Sequence, residues 1–180
     1  MDFQDVLRRR RMVRSFEARP LPPGALDRIV ANARRAPSAG HTQGSAFLVL
    51  EGPDQTAVFW AASFPTKDRE GFRRPGLFAA AAVIVAFADR QAYADRYAEA
   101  DKAGSGIDAW PVPYWHIDTG FAALLMLLTA VDQGLGACFF AVPAGRVDDV
   151  RAAFAVPERL EPIGAVALGH PADDPPSPSL

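Results

Sequence analysis

Five arginines fall within seven residues near the N-terminus, at positions 8–14. A guanidinium group is a planar fork of N–H donors that matches the oxygens of a phosphate. Asp2 can cap a first helix, and if this helix persists, Arg10 and Arg14 at i,i+4 spacing project from one side, with Arg11 beside them. The cluster is then either a grip on a terminal phosphate or a solvated surface, which is what most charge runs are.

Two glycine-containing segments could bring backbone N–H groups close to a ligand. In loop 37–44 the residues are small, and Gln43 adds a side-chain amide. Segment 134–141 is a turn into an apolar strand, which could set backbone amides against the edge of a flat ring. Their simpler interpretations are a helix-to-strand connection and a helix end followed by a core strand. Neither is a Gly-x-Gly-x-x-Gly or phosphate-loop motif, so a nicotinamide donor would have no Rossmann site.

An aromatic segment at 110–116 alternates with prolines. Aromatic side chains of this kind often line a pocket for a planar ligand, and Trp110, Tyr114 and Trp115 are the candidates for substrate contact. The alternative is that they cover the core or a partner subunit.

Several other chemistries find no support in the sequence. The three histidines lack metal-ligand spacing, so we expect no metal site. Gly-x-Ser-x-Gly does not occur, and Cys138 falls in an apolar strand, where a thiol is normally inert. No pair of carboxylates has a spacing that suggests acid–base work. We therefore expect no catalytic side chain, and predict that a cofactor supplies the chemistry.

The composition indicates one globular domain, assigned to residues 1–170 and followed by a Pro-rich tail at 171–180. Hydrophobic residues make up 49% of the chain, and the net charge of -2 excludes a broad basic surface for nucleic acid. The longest apolar runs, at 78–88 and 121–131, are too short to span a membrane. A single cysteine and an N-terminus unlike a signal peptide favour a cytoplasmic location.

The elements that must position these segments mix without strict alternation, which favours an α+β fold over a doubly wound sheet. We predict strands over 46–50, 79–87, 137–142 and 163–168, and helices following Asp2 and Pro23 and over 55–62, 89–102, 117–133 and 147–154. The helix at 117–133 is apolar nearly all the way round, so we expect it to be buried on every side, by the core and by a subunit interface.

Together, three segments resemble the FMN-dependent nitroreductase family. They are residues 10–16, residues 36–43, and residues 118–120 leading through the apolar helix to 134–138, in that order and spacing. The resemblance implies an α+β nitroreductase-like fold, with a mixed or antiparallel sheet flanked by helices and a long buried central helix. It also implies an intertwined homodimer with FMN at the interface.

Carried over by position, the resemblance implies a set of cofactor-binding residues. They are Arg10, Arg11, Met12 and Arg14 at the phosphate and ribityl side, Pro37, Ser38, Ala39 and Gly40 from the other subunit with Gln43 nearby, and Phe139, Phe140 and Ala141 beside the isoalloxazine. Met12 stands where many members have serine, and His41 replaces a common asparagine. Members usually continue into a C-terminal segment with basic residues. The chain therefore is either truncated or holds the phosphate nearly alone through its N-terminal arginines.

The activity implied by the resemblance is electron transfer from NADH or NADPH to a nitroaromatic, quinone or enone by a ping-pong mechanism. Protein side chains would orient and tune the flavin. The alternatives within this fold are a reductive dehalogenase, an enzyme that consumes the flavin, and a non-catalytic dimer that stores FMN.

Overall fold

Four strands form one antiparallel sheet, and their order across it, counted along the chain, is first, second, fourth, third. The computed structural model describes residues 1–102 and 106–173. The strands are β1 (Ser45–Glu51), β2 (Ala82–Asp89), β3 (Gly136–Phe140) and β4 (Leu160–Gly169). Residues 82–88 of β2 are all buried, as expected for a strand covered on both faces.

Helices cover both faces of this sheet. The part of the chain that the structure describes contains α1 (Phe3–Arg9), α2 (Ala25–Ala33), α3 (Gly52–Ser63), α4 (Thr66–Arg69), α5 (Arg90–Tyr97), α6 (Tyr114–Asp132) and α7 (Val147–Phe154). On one face, α2 and α6 enclose a core around Ile29 and Met126. On the other, α3 and α7 enclose a core around Phe59 and Val150. This arrangement confirms the predicted α+β fold.

Arg10 and Arg14 do not share a helix face, because the first helix does not persist as far as these residues. Helix α1 ends at Arg9, and the chain is extended from Arg10 onward. Met12 forms a parallel bridge with Ala137 of β3, and the Val13 N–H donates to the Ala137 carbonyl at 2.9 Å. Hydrogen bonding to the edge of the sheet replaces the helical hydrogen bonds that a longer α1 would have made.

Helix α6 is the one described helix that is long and apolar enough to cross a membrane by length and composition alone. It packs against α2 and all four strands, and half of it is buried within the fold, as in the core helix of a globular domain. In a single chain the opposite side remains exposed and carries Ile117, Phe121 and Leu124. The expectation of burial on every side therefore holds for one side only within one chain.

Several element boundaries differ from the sequence predictions. Helix α3 begins at Gly52, three residues before the predicted start at Gln55. Strand β2 starts only at Ala82, because residues Pro75–Ala79 form a short 3-10 turn. The first residue of the predicted tail, Pro171, forms an antiparallel bridge with Phe16 and so belongs to the domain. The rest of that tail, residues 174–180, and residues 103–105 of the loop before α6 lie outside the described residues.

Candidate functional site

Loop 38–43 has an unusual backbone that requires support from its neighbours. Gly40, His41 and Gln43 have φ values of 61°, 53° and 56°, which are left-handed conformations that cost most non-glycine residues free energy. A Cβ on Gly40 would lie 2.8 Å from the Tyr97 ring, so only glycine fits there. Arg96 of α5 donates from its Nε to the Gly40 carbonyl at 2.9 Å. Helix α5 thus holds the tip of the loop.

Asp118 is the buried anchor of the same loop. Its Oδ2 accepts hydrogen bonds from the Ala39 backbone N–H and from the Tyr93 hydroxyl, both at 2.8 Å. Only 5% of the surface of Asp118 is exposed, so these two donors replace water around the carboxylate. One side chain of α6 therefore fixes the loop and a tyrosine of α5 together.

Tyr93 is fully buried, and its environment keeps its hydroxyl protonated. Burial, and then the hydrogen bond to Asp118, raise the pKa of Tyr93 far above its ordinary value of 10.0. The hydroxyl is therefore a donor at any physiological pH. Neither Tyr93 nor a role for Asp118 was predicted. A lone carboxylate in an apolar helix was the signal that could have pointed to Asp118.

A small cavity of about 200 Å³ lies beneath this loop. Its lining residues are Ala33, Arg34, Ala36, Pro37, Ser38, Gln43, Ser45, Phe47 and Asp118. The Gln43 side-chain amide donates to the Ala36 carbonyl and to Ser38 Oγ, both at 3.3 Å. The structure therefore brings the predicted residues Pro37, Ser38 and Gln43 to one cavity.

The predicted aromatic residues also come together, in one cluster beside the loop. Trp110 stacks on Trp115 with ring centroids 6.1 Å apart, and meets Tyr114 edge-on at 5.2 Å. Trp110 also meets Tyr97 edge-on at 4.8 Å. Because Tyr97 touches Gly40 as well, the aromatic cluster adjoins the loop that Asp118 holds.

The arginine segment lies at the edge of β3. Arg10 is half-buried and Arg11 is exposed, and neither pairs with a carboxylate among the described residues. Arg14 donates to the Met12 carbonyl at 3.1 Å. The Met12 sulfur accepts from the Phe139 backbone N–H at 3.5 Å, which brings Met12 to β3 in place of a hydroxyl side chain.

Phe139 and Phe140 point to opposite faces of the sheet, because side chains alternate along a strand. Phe139 packs on the α2–α6 side. Phe140 packs on the other side, stacked on Trp60 with ring centroids 5.5 Å apart. Ala141 is exposed just after β3. The two phenylalanine side chains thus cannot border the same face of one ligand.

Within one chain the two parts of the predicted site remain separate. No hydrogen bond or ion pair in the described residues joins Arg10 or Arg11 to loop 38–43. The arginine segment runs alongside β3, at one edge of the sheet. The loop leads into β1, which lies at the other edge.

Comparisons with known proteins agree with this architecture. The model of the nitroreductase family matches residues 7–170. A protein of Methanothermobacter thermautotrophicus assigned as an NADH dehydrogenase/NAD(P)H nitroreductase is 26% identical over 177 residues, which is 97% of this chain and 80% of that protein.

A crystal structure assigned as a nitroreductase in complex with FMN, from Desulfovibrio desulfuricans, superposes with a TM-score of 0.74 at 25% identity, over 98% of this chain and 90% of that one. Iodotyrosine deiodinase 1 of Rattus norvegicus is 34% identical over 53 residues, which is 29% of this chain and 19% of that protein. Since the family model covers most of the chain and the fold is the same, this protein belongs to the nitroreductase family.

Proposed function

We propose that the protein is an FMN-dependent oxidoreductase that transfers electrons from NADH or NADPH to a small aromatic acceptor, such as a nitroaromatic, a quinone or an enone. The observation that carries this proposal is the contact between the aromatic cluster and loop 38–43. Tyr97 joins them, so a wall suited to planar molecules adjoins the loop that family resemblance aligns with the flavin. The relative named as an NAD(P)H nitroreductase supports the choice of donor.

The donor chemistry of the chain fits FMN. Arg10 and Arg11 offer guanidinium groups that no carboxylate of the described chain neutralises, as a phosphate site requires. We assign Arg14 and Met12 to the same end, because Met12 holds this segment against β3. We assign Pro37, Ser38, Ala39, Gly40 and Gln43 to the flavin contacts of the loop.

Strand β3 supplies the remaining contacts. We propose that Phe139 borders the ring system through its side chain, and Ala141 through its exposed position at the strand end. Phe140 contributes only backbone, since its side chain is committed to the core around Trp60. A solved relative of this fold was crystallised with FMN, which supports the cofactor.

We propose that two copies of the chain assemble to complete the site. The arginine segment and loop 38–43 are separate within one chain, and a dimer would bring one of each together. The exposed apolar side of α6 offers the surface for this contact, and the exposed Phe3 and Leu7 of α1 extend it. A cytoplasmic location fits a buried single cysteine and a core helix that packs within the fold.

When bound, FMN would supply the redox chemistry, with donor and acceptor using the same face in turn. The protein itself binds and orients the cofactor and the acceptor. Asp118 holds loop 38–43 rigid, and Trp110, Tyr114 and Trp115 shape the acceptor pocket and exclude water from it. No side chain of the chain needs to act as an acid, a base or a nucleophile.

The partial match to iodotyrosine deiodinase 1 favours reductive dehalogenation as a second candidate. Consumption of the flavin, or storage of FMN without turnover, would use the same binding residues. Turnover separates these possibilities, because each predicts a different product.

A spectrum of the purified protein, before and after anaerobic addition of NADPH or NADH, tests the proposal. We expect flavin absorbance that the reduced nicotinamide bleaches and that a nitroaromatic or a quinone restores. Restoration by a halophenol alone would favour the dehalogenase. A flavin that neither nicotinamide bleaches would indicate storage, and a colourless protein that takes up no added FMN would end the proposal.

A further inference from the structure

A second, larger cavity shares no lining residue with the cavity beneath loop 38–43. Its volume is about 620 Å³, within the range of small-molecule pockets. It is bordered by Glu51 at the end of β1, whereas Ser45 at the start of β1 borders the cavity beneath loop 38–43. A strand rises about 3.3 Å per residue, so Ser45 and Glu51 lie about 20 Å apart.

Small residues create this space. Ala57 of α3 and residues 79–81 before β2 leave room that larger side chains would fill, while Leu21, Trp60 and Phe78 form its walls. The walls are apolar and partly aromatic, which suits a flat hydrophobic molecule.

Two charged side chains at this cavity form no ion pair among the described residues, the exposed Glu51 and the half-buried Arg69. Arg69 borders the cavity with its guanidinium group over the Phe78 ring, 5.1 Å from the ring centroid. Its Nε donates to the Phe64 carbonyl at 2.5 Å, and no carboxylate among residues 1–102 and 106–173 pairs with it. Arg19, the other arginine at the cavity, is already paired with Glu17 at 2.8 Å. The N–H groups at the end of Arg69 are therefore left for an anion.

A second donor points to the same conclusion. Trp60 is 2% exposed, and its indole N–H has no hydrogen-bond partner in the described part of the chain. A buried donor without an acceptor costs about 1–3 kcal/mol. An occupant that carries an oxygen into the cavity could supply this acceptor after a small adjustment of the ring.

We propose that this cavity is a binding site for a small aromatic monocarboxylate. The aromatic body packs against the walls formed by Leu21, Trp60 and Phe78, and the carboxylate pairs with Arg69. This site is distinct from the proposed FMN site, and the inference does not depend on the proposed function.

The test is titration calorimetry of the purified protein, in the presence of excess FMN, with 1-naphthoate and with its neutral analogue 1-naphthamide. We expect the wild type to bind the carboxylate about tenfold more tightly than the amide, the difference that a charge-assisted hydrogen bond contributes. Arg69→Gln should abolish this preference. Arg73→Gln, which changes an exposed arginine that does not border the cavity, should preserve it.

Ala57→Leu tests the location independently of the charge. Ala57 is exposed at the cavity on α3, and a leucine there would occupy the space without breaking the helix. Naphthoate binding should be lost in Ala57→Leu and retained in Ala61→Leu, one helical turn further along. Unchanged binding in Ala57→Leu, naphthoate binding that perturbs the flavin spectrum and survives Arg69→Gln, or no binding by the wild type would each overturn the proposal.

Discussion

At the scale of single residues, the carboxylate of Asp118 organises the candidate site. A buried carboxylate is stable only when donors surround it, and here the two donors come from loop 38–43 and from α5. The same oxygen accepts both bonds, so the positions of Ala39 and Tyr93 depend on each other. A substitution of Asp118 should therefore change the position of the loop and, through the loop, the binding of the cofactor.

Asp118→Asn should weaken FMN binding about tenfold and lower the free energy of unfolding by about 1–3 kcal/mol, because an amide is a poorer acceptor for two donors. Flavin fluorescence titration and urea denaturation measure these two effects. Asp27→Asn, at an exposed position of α2, is the control. Equal FMN affinity in Asp118→Asn and the wild type would show that the loop does not need this anchor.

Tyr93 predicts a particular response to alkaline pH. Its pKa is raised in the folded state, so its contribution to stability is fully present below the unfolded value of 10.0. Above that pH the unfolded state loses the proton first, and the contribution falls as pH rises towards the folded pKa. Tyr93→Phe should therefore lose less stability than the wild type between pH 9 and pH 11, about the unfolded pKa. Denaturation midpoints across this range measure the difference, and parallel curves would contradict it.

Arg10→Ala and Arg14→Ala should lose FMN, since the phosphate site rests on these side chains in the proposed function. Arg9→Ala changes an exposed arginine at the end of α1 and should retain FMN. The flavin content of each variant after purification decides the matter. If Arg10→Ala purifies with a full complement of FMN, Arg10 does not hold the phosphate.

At the scale of elements, the pairing between the N-terminal segment and β3 sets where the arginines lie. A Cβ on Gly136 would lie 2.9 Å from a methyl group of Val13, so this pairing needs a glycine. The bridge between Met12 and Ala137 joins the residues next to Val13 and Gly136.

Gly136→Ala should push the segment away from β3, reduce FMN affinity, and destabilise the fold by about 1–3 kcal/mol through overpacking. Gly145→Ala has open space around it and should change neither property. Thermal denaturation together with FMN titration provides the readout. A Gly136→Ala variant with wild-type affinity would mean that the segment tolerates displacement.

The sequence predicted the elements with strong patterns. The apolar run of β2 depends on local composition, and this strand was found, although it starts three residues later than predicted. Helix α7 was found with its predicted bounds. The path of Arg10–Arg14 could not be predicted in this way, because it depends on pairing with a strand far along the chain. The hydrogen bond between Tyr93 and Asp118 was not predicted, because it joins two helices and also depends on the tertiary fold.

Within the site, the residues involved were easier to predict than the directions in which their side chains point. Trp110, Tyr114 and Trp115 were expected near one another and do cluster. Phe139 and Phe140 were both expected beside the isoalloxazine. Their side chains point to opposite faces of the sheet, which follows from the strand that the sequence predicted over 137–142.

At the scale of the whole molecule, the exposed apolar side of α6 is the feature that a single chain does not explain. Leu124 is 46% exposed in the middle of a helix that otherwise packs into the core. Apolar side chains at Ile117 and Phe121 continue the same surface. A second copy would cover this surface and complete the proposed FMN site.

Leu124→Glu should shift the protein from the proposed dimer to a monomer and lower its FMN content, because a buried, unpaired charge opposes the contact. Val58→Glu is a matched control, since Val58 is also 46% exposed but lies on α3, across the sheet. Light scattering coupled to gel filtration gives the mass of each variant. A Leu124→Glu protein that stays dimeric would show that the dimer uses another surface.

The strand order β1-β2-β4-β3 also bears on how the chain is made in the cell. One of the two partners of β2 is β4, which is the last strand in the described part of the chain and is synthesised after β1, β2 and β3. Until then, β2 has a neighbour on one side only, and its other edge is open to pairing with another nascent chain. Pairing across so long a stretch of sequence is slow. Synthesis that stops before Leu160 should therefore yield aggregated polypeptide, and recovery of soluble protein should begin only once β4 has been translated.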